Sequence, residues 1–308
     1  MSFSALSLNA AIESQILVAG ASFLIALTQL DFKVSIEYAI GELDSAPDRK
    51  RISKKMQDNN IAIQIKNVSK TYKNIKALDN VSLSIYDNEI FGLLGPNGSG
   101  KTTLLRILST LVSPDNPSPD DSDGRSCKIT GHDLLKEQAA VRQIMGYVPQ
   151  QAALYVDLSA LDNLILFNTP YNLDKQVQRE RIDELLKIVD LYKRRHELVR
   201  TYSGGMLRRL SIICALVHQP KVLFLDEITV GLDTALRREL WDMIRQVKNT
   251  STVVITTHYI PEAENYCDRV ALMLHGHILD YDSPEKLIKK YPTANDLEEV
   301  MLICEKRL

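Results

Sequence analysis

A glycine-rich segment that ends in Lys-Thr constrains the fold of this chain more than any other feature. Residues 95–102 read Gly-Pro-Asn-Gly-Ser-Gly-Lys-Thr and fit the pattern G-x-x-x-x-G-K-[ST]. The apolar run 90–94 precedes this segment, and the amphipathic stretch 101–111 follows it. A strand, a loop and a helix in this order predict a phosphate-binding loop, or P-loop.

The residue types of the P-loop predict its chemistry. Gly95, Gly98 and Gly100 let the backbone turn tightly, so that its N–H groups and the positive end of the following helix point at one concavity. A polyphosphate fits such a concavity. Lys101 would reach the β- and γ-phosphates, and the hydroxyl of Thr102 would complete the shell of a Mg²⁺ ion. An ordinary glycine-rich turn is the alternative, and the preceding strand argues against it.

Composition limits the remaining possibilities. The chain has 308 residues, enough for about two domains, and a formal net charge of −2. This charge argues against a nucleic-acid partner, because domains that bind nucleic acid by bulk electrostatics carry a basic excess. The cysteines lack C-x-x-C spacing, which indicates reduced, cytosolic thiols rather than disulfides or a zinc site. They are Cys127, Cys214, Cys267 and Cys304.

The first 60 residues differ from the remainder of the chain. Residues 16–30 are mostly apolar, but the segment is shorter than the roughly 20 residues that a membrane-spanning helix needs. A basic cluster follows at 49–55, and this order would leave the rest of the chain cytoplasmic. The interpretation we favour is an amphipathic helix that packs on a partner or on the rest of the chain, followed by a charged linker over 44–60.

Hydrophobic periodicity predicts the elements that follow. Residues 61–65 and 81–85 alternate apolar and polar side chains, which predicts half-buried strands in a small antiparallel sheet. Helical periodicity over 161–167 and 176–189 predicts a helical block between strands. Further predicted features are buried parallel strands at 222–225 and 253–255, strands near 128–130 and 144–148, a surface loop over 113–123, and a hairpin turn at His275-Gly276-His277.

Three further motifs follow the P-loop along the chain. They are Tyr202-Ser-Gly-Gly-Met206, Val222-Leu-Phe-Leu-Asp-Glu227 and Thr256-Thr-His258. Together with the P-loop, they make residues 61 to about 288 resemble an ATP-binding-cassette (ABC) ATPase. The tyrosine-led signature followed by two arginines, and the H-loop over 256–264, are similar to those of ABC-2-type exporters such as the daunorubicin-resistance-like ATPases.

The resemblance implies an α/β fold: a P-loop NTPase with a RecA-like core sheet, a small antiparallel β subdomain and an inserted α-helical subdomain. The expected organisation is an N-terminal extension over 1–60, an ABC ATPase cassette over 61–290 and a short helical tail over 291–308. The helical subdomain would occupy about 151–215. The implied activity is ATP hydrolysis coupled to transmembrane transport.

The strand over 222–225 would deliver two carboxylates beside the P-loop. Asp226 would hold the Mg²⁺ shell, usually through water, and Glu227 would polarise the attacking water. A strand followed by a turn or a helix cap also explains an apolar run that ends in Asp-Glu. The presence of the P-loop argues against this simpler explanation.

The resemblance also implies roles for isolated residues. His258 would contact the γ-phosphate, Gln150 would ligate Mg²⁺ at the Q-loop position, and Tyr72 would stack on adenine or serve only in packing. The predicted catalytic residues are thus Lys101, Glu227 and His258, and the predicted metal ligands are Thr102, Gln150 and Asp226. The predicted nucleotide-binding residues are Tyr72, Gly95, Pro96, Asn97, Gly98, Ser99, Gly100, Lys101, Thr102, Thr103 and Gln150.

The signature Ser203-Gly204-Gly205-Met206 begins another helix, which is expected to run toward residue 217 and whose N-terminus favours anions. In the family this face closes over the γ-phosphate held by the opposite subunit, and Asp233 in the D-loop bridges across. The resemblance therefore implies a head-to-tail homodimer of cassettes, with a monomer that hydrolyses ATP poorly. The alternative is a Ser-Gly-Gly turn that only caps a helix.

A cassette without a convincing membrane bundle is expected to dock on a separate transmembrane permease at the cytoplasmic face of a membrane. Residues 152–156 are the candidate docking surface, unless they belong to the core. The competing functions are a soluble ABC ATPase outside transport and a regulatory subunit with little turnover, which would lack Glu227 or His258. Two departures from the family pattern, Ile228 for proline and Met206 for glutamine, predict retuned rather than lost activity.

Overall fold

The computed structural model describes residues 60–115 and 126–306, in which strands and helices alternate along the chain. The described strands are β1 (Ile61–Tyr72), β2 (Ile75–Tyr86), β3 (Ile90–Leu94), β4 (Ser126–Ile129), β5 (His132–Asp133), β6 (Met145–Val148), β7 (Val222–Asp226), β8 (Thr252–Thr257), β9 (Arg269–Leu274) and β10 (His277–Asp282). The described helices are α1 (Lys101–Leu108), α2 (Gln138–Ile144), α3 (Ala160–Asn168), α4 (Lys175–Ile188), α5 (Gly204–Cys214), α6 (Thr234–Val247), α7 (Ile260–Tyr266), α8 (Pro284–Lys290) and α9 (Leu297–Glu305).

The central sheet has six strands in the order β10-β9-β3-β8-β7-β6. Its pairings are parallel except that β10 runs antiparallel to β9. Strands β3, β7 and β8 are buried along their whole length, which explains their largely apolar sequences. The pairings Leu94↔Thr257 and Asp226↔Thr256 align the carboxyl ends of these three strands. The residues that follow the strands therefore meet at one edge of the sheet.

A second sheet is antiparallel and has the strand order β2-β1-β4-β5. Strands β1 and β2 pair from Ile61↔Tyr86 at one end to Tyr72↔Ile75 at the turn. Inward side chains of this sheet share a hydrophobic cluster with α1 and with Phe224 on one face of the central sheet. The small antiparallel β subdomain predicted from the alternating sequences is confirmed.

Helices α3, α4 and α5 come between β6 and β7 and form the helical part of the fold. Ser159 and Asp174 cap α3 and α4, respectively, through side chains that accept backbone N–H groups. The apolar faces of the three helices belong to a cluster that includes Leu225 and Ile255, on the face of the central sheet opposite Phe224. The predicted helical block is present, and it shares one core with the central sheet.

Two helices end earlier than the sequence predicts. The helix expected over 101–111 stops at Leu108, with Ser109 as its C-cap, because Thr110 has a φ of 59° in the left-handed region. The helix expected to run toward residue 217 stops at Cys214. The predicted hairpin at His275-Gly276-His277 joins β9 to β10, as the sequence indicates.

Several predictions concern residues outside the described ranges. They include the apolar segment 16–30, the basic cluster 49–55 and most of the loop predicted over 113–123. Within 60–115 and 126–306, no helix combines the length and the apolar composition that crossing a bilayer requires.

The four cysteines are unpaired and buried. Burial raises the pKa of Cys127 to about 12, and it raises the pKa of Cys214 and Cys267 in the same direction. Since the thiolate is the reactive form, burial keeps these side chains inert at neutral pH.

Candidate nucleotide site

The P-loop connects β3 to α1 and packs closely against the antiparallel sheet. Gly100 precedes α1 with a φ of 105°, and a Cβ at this position would lie 2.5 Å from the carbonyl oxygen of Ala77. Only glycine meets both constraints. The ammonium of Lys101 donates to the carbonyl oxygens of Gly95 at 2.8 Å and Pro96 at 2.9 Å, so the lysine side chain curls back along its own loop.

A cavity of about 450 Å³ lies in front of this loop. Its lining includes eight of the residues predicted for the site: Asn97, Gly98, Gly100, Lys101, Thr102, Thr103, Gln150 and Glu227. The lining is mainly polar and combines backbone N–H groups at a helix N-terminus with a buried ammonium, which suits a polyphosphate. The structure thus brings residues from three separate motifs into one concavity.

Asp226 ends β7 and is 2% exposed. The hydroxyl of Thr102 donates to its Oδ1 at 3.0 Å, and the hydroxyl of Thr256 donates to the same oxygen at 2.7 Å. These donors fix the carboxylate beside the P-loop. Thr102 and Asp226 therefore form an oxygen donor set of the kind that Mg²⁺ prefers, next to the phosphate cavity.

Glu227 lies where the three predicted catalytic side chains converge. Its φ of 46° is left-handed, and its N–H donates to the hydroxyl of Thr256 at 2.9 Å. The carboxylate lies 3.7 Å from the Nζ of Lys101 and 3.6 Å from the Nδ1 of His258, and it accepts a hydrogen bond from the Nε2 of Gln150 at 2.9 Å. A left-handed backbone is costly for a residue with a Cβ, so the surrounding bonds hold this carboxylate in a specific orientation.

Burial and charge act in opposite directions on Lys101. Burial lowers the pKa of its ammonium, and the nearby carboxylates of Glu227 and Asp226 work against that shift. The same carboxylates would lose their interaction with the ammonium when phosphate oxygens compete for it.

His258 also lines a second cavity of about 350 Å³, between the P-loop and α9. Gly95 and Pro96 contribute to its wall, together with Glu298 and Met301 of the C-terminal helix. The histidine therefore faces Glu227 on one side and the 350 Å³ cavity beside α9 on the other.

Gln150 follows β6 and contacts two different parts of the site. Its side-chain amide donates to Glu227, which leaves its carbonyl oxygen free to act as a ligand. Its backbone carbonyl accepts from the Nη1 of Arg208 on the signature helix α5 at 2.7 Å. Arg208, noted in the sequence only as part of the signature, thus links that helix to the Q-loop.

The apolar segment 152–156 lies at the surface beside the Q-loop. Tyr155 is 56% exposed and Val156 is 50% exposed. Ala152 and Ala153 are also exposed, so most of the segment is surface, whereas Leu154 is half-buried and packs against the main hydrophobic cluster.

Tyr72 ends β1 and is 41% exposed, so its ring is available for contact. The ammonium of Lys70 lies 5.5 Å from the ring centroid. Tyr72 is absent from the lining of the 450 Å³ cavity in the described structure, so stacking on adenine stays a prediction.

The signature residues stand at the N-terminus of α5. The hydroxyl of Ser203 accepts from the N–H of Met206 at 3.4 Å, so Ser203 caps the helix and keeps its hydroxyl proton available to another acceptor. Arg194 contacts two signature residues. Its Nη1 lies 3.1 Å from the sulfur of Met206, and its carbonyl accepts from the hydroxyl of Tyr202 at 2.8 Å. No signature residue lines the 450 Å³ cavity or the 350 Å³ cavity.

Asp233 caps α6 by accepting the N–H groups of Ala235 and Leu236 at 2.9 and 3.0 Å. This contact is within the chain, and the predicted bridging across a dimer stays a prediction.

The supporting roles of two residues escaped the sequence analysis. Thr256 joins Asp226 to the backbone of Glu227, and a polar residue directly after an apolar run, near the end of a buried strand, was the available signal. Gly276 contacts the P-loop through an N–H that donates to the carbonyl of Ser99 at 3.1 Å, and no local pattern indicates that contact.

Comparison with known proteins places the same residues in a wider context. Residues 78–230 match the family model described as ABC transporter. The chain is 41% identical over 242 residues to the daunorubicin resistance ATP-binding protein DrrA3 of Streptomyces coeruleorubidus, covering 78% of this chain and 73% of that protein. It is 42% identical to the doxorubicin resistance ATP-binding protein DrrA of Mycobacterium tuberculosis, covering 73% of this chain and 66% of that protein.

Solved structures share the fold. The structure titled ATP binding subunit of ABC transporter superposes with a TM-score of 0.71 at 23% identity, covering 79% of this chain and 99% of the other. At this identity the match speaks for the architecture alone, and it agrees with the sheet, the antiparallel subdomain and the helical part described above.

Proposed function

The chain belongs to the ABC transporter family as an ATP-binding subunit with ATPase activity, and on this premise we propose how its residues work. Lys101 and the P-loop backbone bind the phosphates, Glu227 polarises the attacking water, and His258 contacts the γ-phosphate. The observation that carries the proposal is the convergence of Lys101, Gln150 and His258 on the carboxylate of Glu227.

Magnesium is the metal that the donor set suits. Thr102 and Asp226 supply hard oxygen donors, and Gln150 lines the same cavity. Thr102 and Asp226 would hold a Mg²⁺ ion whose charge would offset the negative charge that develops on the phosphates. The protein side chains would orient the metal and the water, while Lys101 holds the phosphate tail.

Two substitutions test these roles in the full chain. Lys101→Ala should reduce ATP turnover by at least about a hundredfold, because it removes a buried charge from the phosphate site. Glu227→Gln should preserve ATP binding while stopping hydrolysis, because the amide keeps the shape of the side chain and loses its basicity. Turnover that is independent of both residues would contradict the proposed site.

The composite site is the second part of the proposal. The signature N-terminus at Ser203 and the P-loop cavity would belong to one ATP site only in a head-to-tail pair of cassettes. Light scattering of the Glu227→Gln chain with and without Mg·ATP measures this directly. We expect an ATP-dependent dimer, and a chain that stays monomeric with ATP counts against the composite site.

The partner in transport is proposed to be a separate transmembrane permease, with this chain at the cytoplasmic face of the membrane. The exposed strip at 152–156, beside the Q-loop, supports docking there. The relatives' names associate them with resistance to daunorubicin and doxorubicin, which supports export as the direction of transport. Among the proposed functions, this one accounts for both the hydrolytic residues and the exposed strip.

Sedimentation with membranes of the source cells tests the docking surface. Tyr155→Asp should move the chain from the membrane pellet to the supernatant, while its ATP turnover stays unchanged. Val177→Asp is the matched control, because Val177 is equally exposed, at 56%, but lies on α4. Equal loss from the pellet in both variants would contradict docking through 152–156.

A further inference from the structure

A buried ion pair lies behind the hydrolytic residues. Glu262, in the first turn of α7, is 1% exposed, and its Oε1 lies 3.4 Å from the Nε of Arg237 on α6. Burying a carboxylate is costly unless an opposite charge and hydrogen bonds compensate. The groups that offset the cost of burying the Glu262 carboxylate therefore indicate which segments this side chain holds in place.

The second carboxylate oxygen of Glu262 joins two catalytic segments. Its Oε2 accepts from the hydroxyl of Thr229 at 2.9 Å and from the hydroxyl of Thr257 at 3.0 Å. Thr229 lies two residues after Glu227, and Thr257 directly precedes His258. One oxygen atom of Glu262 therefore links the segment that follows Glu227 to the residue that precedes His258.

Arg237 fixes the same two segments from the other side. Its guanidinium lies 4.8 Å from the ring centroid of Tyr259 and donates to the carbonyl of Leu232 at 3.4 Å. The N–H of Tyr259 in turn donates to the hydroxyl of Thr257 at 3.0 Å. The ion pair therefore contacts both sequence neighbours of His258: Glu262 bonds Thr257, and Arg237 packs on Tyr259. Arg237 also contacts the loop that leads into α6.

We propose that Glu262 and Arg237 are positioning residues that set the separation of His258 and Glu227 during ATP hydrolysis. The inference rests on the proposed function. Neither side chain lines the 450 Å³ cavity or the 350 Å³ cavity in the described structure, so their effect reaches the reaction through the backbone beside His258. The 3.6 Å between His258 Nδ1 and Glu227 Oε1 is the separation that the pair controls.

The test measures kcat and KM for Mg·ATP in the full chain. Glu262→Gln keeps the size of the side chain and one acceptor oxygen, and it removes the charge that holds Arg237. We expect kcat to fall about tenfold while KM stays within about twofold, because misplaced catalytic groups affect the reaction more than ground-state binding. Arg237→Met should have the same effect, and the double variant should be no slower than the slower single variant.

Glu264→Gln is the matched control. Glu264 lies on the same helix, and its carboxylate accepts the N–H of Leu297 at 2.9 Å, away from His258. This variant should keep the parent kcat. A kcat of Glu262→Gln equal to that of the control would overturn the proposal.

A second measurement separates positioning from general stability. In a chain that carries His258→Ala, Glu262→Gln should slow kcat no further, whereas a loss of fold stability would slow both backgrounds equally. Equal slowing overturns the proposal. If His258→Ala leaves too little turnover to compare, the double variant Glu262→Gln with Arg237→Met decides. A loss of kcat equal to the two single losses combined would overturn the proposal. If Glu262→Gln does not fold, Thr257→Val replaces it, because it removes one of the two hydroxyl bonds.

Lys101→Ala distinguishes this proposal from the proposed function. If the Lys101→Ala variant turns over ATP as fast as the parent chain, the assigned ATP site itself is contradicted. Turnover that depends on Lys101 but is unaffected by Glu262→Gln contradicts only the positioning role.

Discussion

At the scale of single residues, the hydroxyl of Thr256 has a large share in ordering the site. It accepts the N–H of Glu227 and donates to the carboxylate of Asp226, inside a strand that is fully buried. Removing it leaves the buried N–H of Glu227 without its partner and takes one of two hydroxyl donors from Asp226, which is more costly than losing an exposed hydrogen bond.

Thr256→Val should therefore lower the free energy of unfolding by about 1–3 kcal/mol and slow kcat about tenfold. Chemical denaturation and steady-state ATP turnover measure the two effects. Thr252→Val is the control, because the hydroxyl of Thr252 accepts the N–H of Asn88 at 3.0 Å at the opposite end of β8. The control should lose stability and keep its kcat, and equal slowing of both variants would contradict the role of Thr256.

His218 gives the fold a pH-dependent element of stability. Its Nε2 bonds the carbonyl of Met145 at 2.9 Å, its ring stacks on Tyr171 with 3.6 Å between centroids, and its buried Nδ1 has no hydrogen-bond partner among the described residues. Burial lowers the pKa of His218 below 6.5, and the bond to the carbonyl opposes that shift only in part.

Because the folded-state pKa of His218 is depressed, the unfolded chain takes up a proton first as the pH falls below 6.5. This contribution to stability is complete above pH 6.5 and is lost as the pH falls toward the folded-state pKa. His218→Gln, whose amide can still reach the Met145 carbonyl, should show a smaller drop in unfolding midpoint between about pH 7.5 and 5.5. Parallel curves for the two proteins would contradict this assignment.

At the scale of elements, the β9–β10 hairpin supports the P-loop. Gly276 has a φ of 82°, and its N–H and carbonyl bond Ser99 and Asp79, respectively. A Cβ on Gly276 would lie 2.9 Å from the carbonyl oxygen of Ala77. The turn therefore fits between the P-loop and β2 only without a side chain.

Gly276→Ala should push this hairpin away from the P-loop and weaken ATP binding about tenfold, since the loop loses a backbone bond and a packing surface. Gly131→Ala is the control, because Gly131 also has a left-handed φ, of 86°, but an added Cβ would meet nothing within 4 Å. Calorimetric titration of ATP compares them. Equal affinities in the two variants would show that the strain of the backbone, and not the contact with the P-loop, accounts for any change.

The sequence predicts elements well where burial alone decides the residue type. Strands β3, β7 and β8 are buried on both faces, so they had to be apolar, and each apolar run marks its strand within two residues. The P-loop is predictable because phosphate binding demands glycines and a lysine at fixed spacing, whereas the role of the signature was predicted from the resemblance to ABC ATPases.

Contacts between distant segments were not predictable in the same way. The bond from Gly276 to Ser99, the bond from Arg208 to Gln150 and the bond from Thr229 to Glu262 each join positions with no shared periodicity. They arise from the strand order of the central sheet, which a single sequence does not encode locally. The left-handed φ of Glu227 belongs to the same class, since bonds from other elements maintain it.

At the scale of the whole molecule, a substitution at Gly204 distinguishes an effect on folding from an effect on the assembly of two cassettes. It lies at the first position of α5, and an added Cβ would meet nothing within 4 Å, whereas a Cβ on Gly205 would lie 2.9 Å from the side chain of Leu236. The space above Gly204 therefore has no occupant within the described chain, and in the proposed dimer it faces the nucleotide of the other subunit.

Gly204→Ala should leave the unfolding midpoint unchanged or slightly raised, because alanine favours a helix by up to about 1 kcal/mol over glycine. Its ATP turnover should nevertheless fall about tenfold or more, because the methyl group enters the interface between cassettes. Differential scanning fluorimetry and turnover at several protein concentrations measure both effects. Parent-like turnover in a stable variant would mean that no second surface approaches this position.

Gln150 contacts Glu227 with its side chain and Arg208 with its backbone, and the exposed strip at 152–156 begins two residues later. Thermodynamic linkage then imposes a reciprocity between the two surfaces: the factor by which ATP changes the affinity for a docked permease equals the factor by which the permease changes the affinity for ATP. A transporter built on this cassette would thus report permease docking as a change in nucleotide occupancy. Nucleotide occupancy and permease occupancy become two measures of one equilibrium.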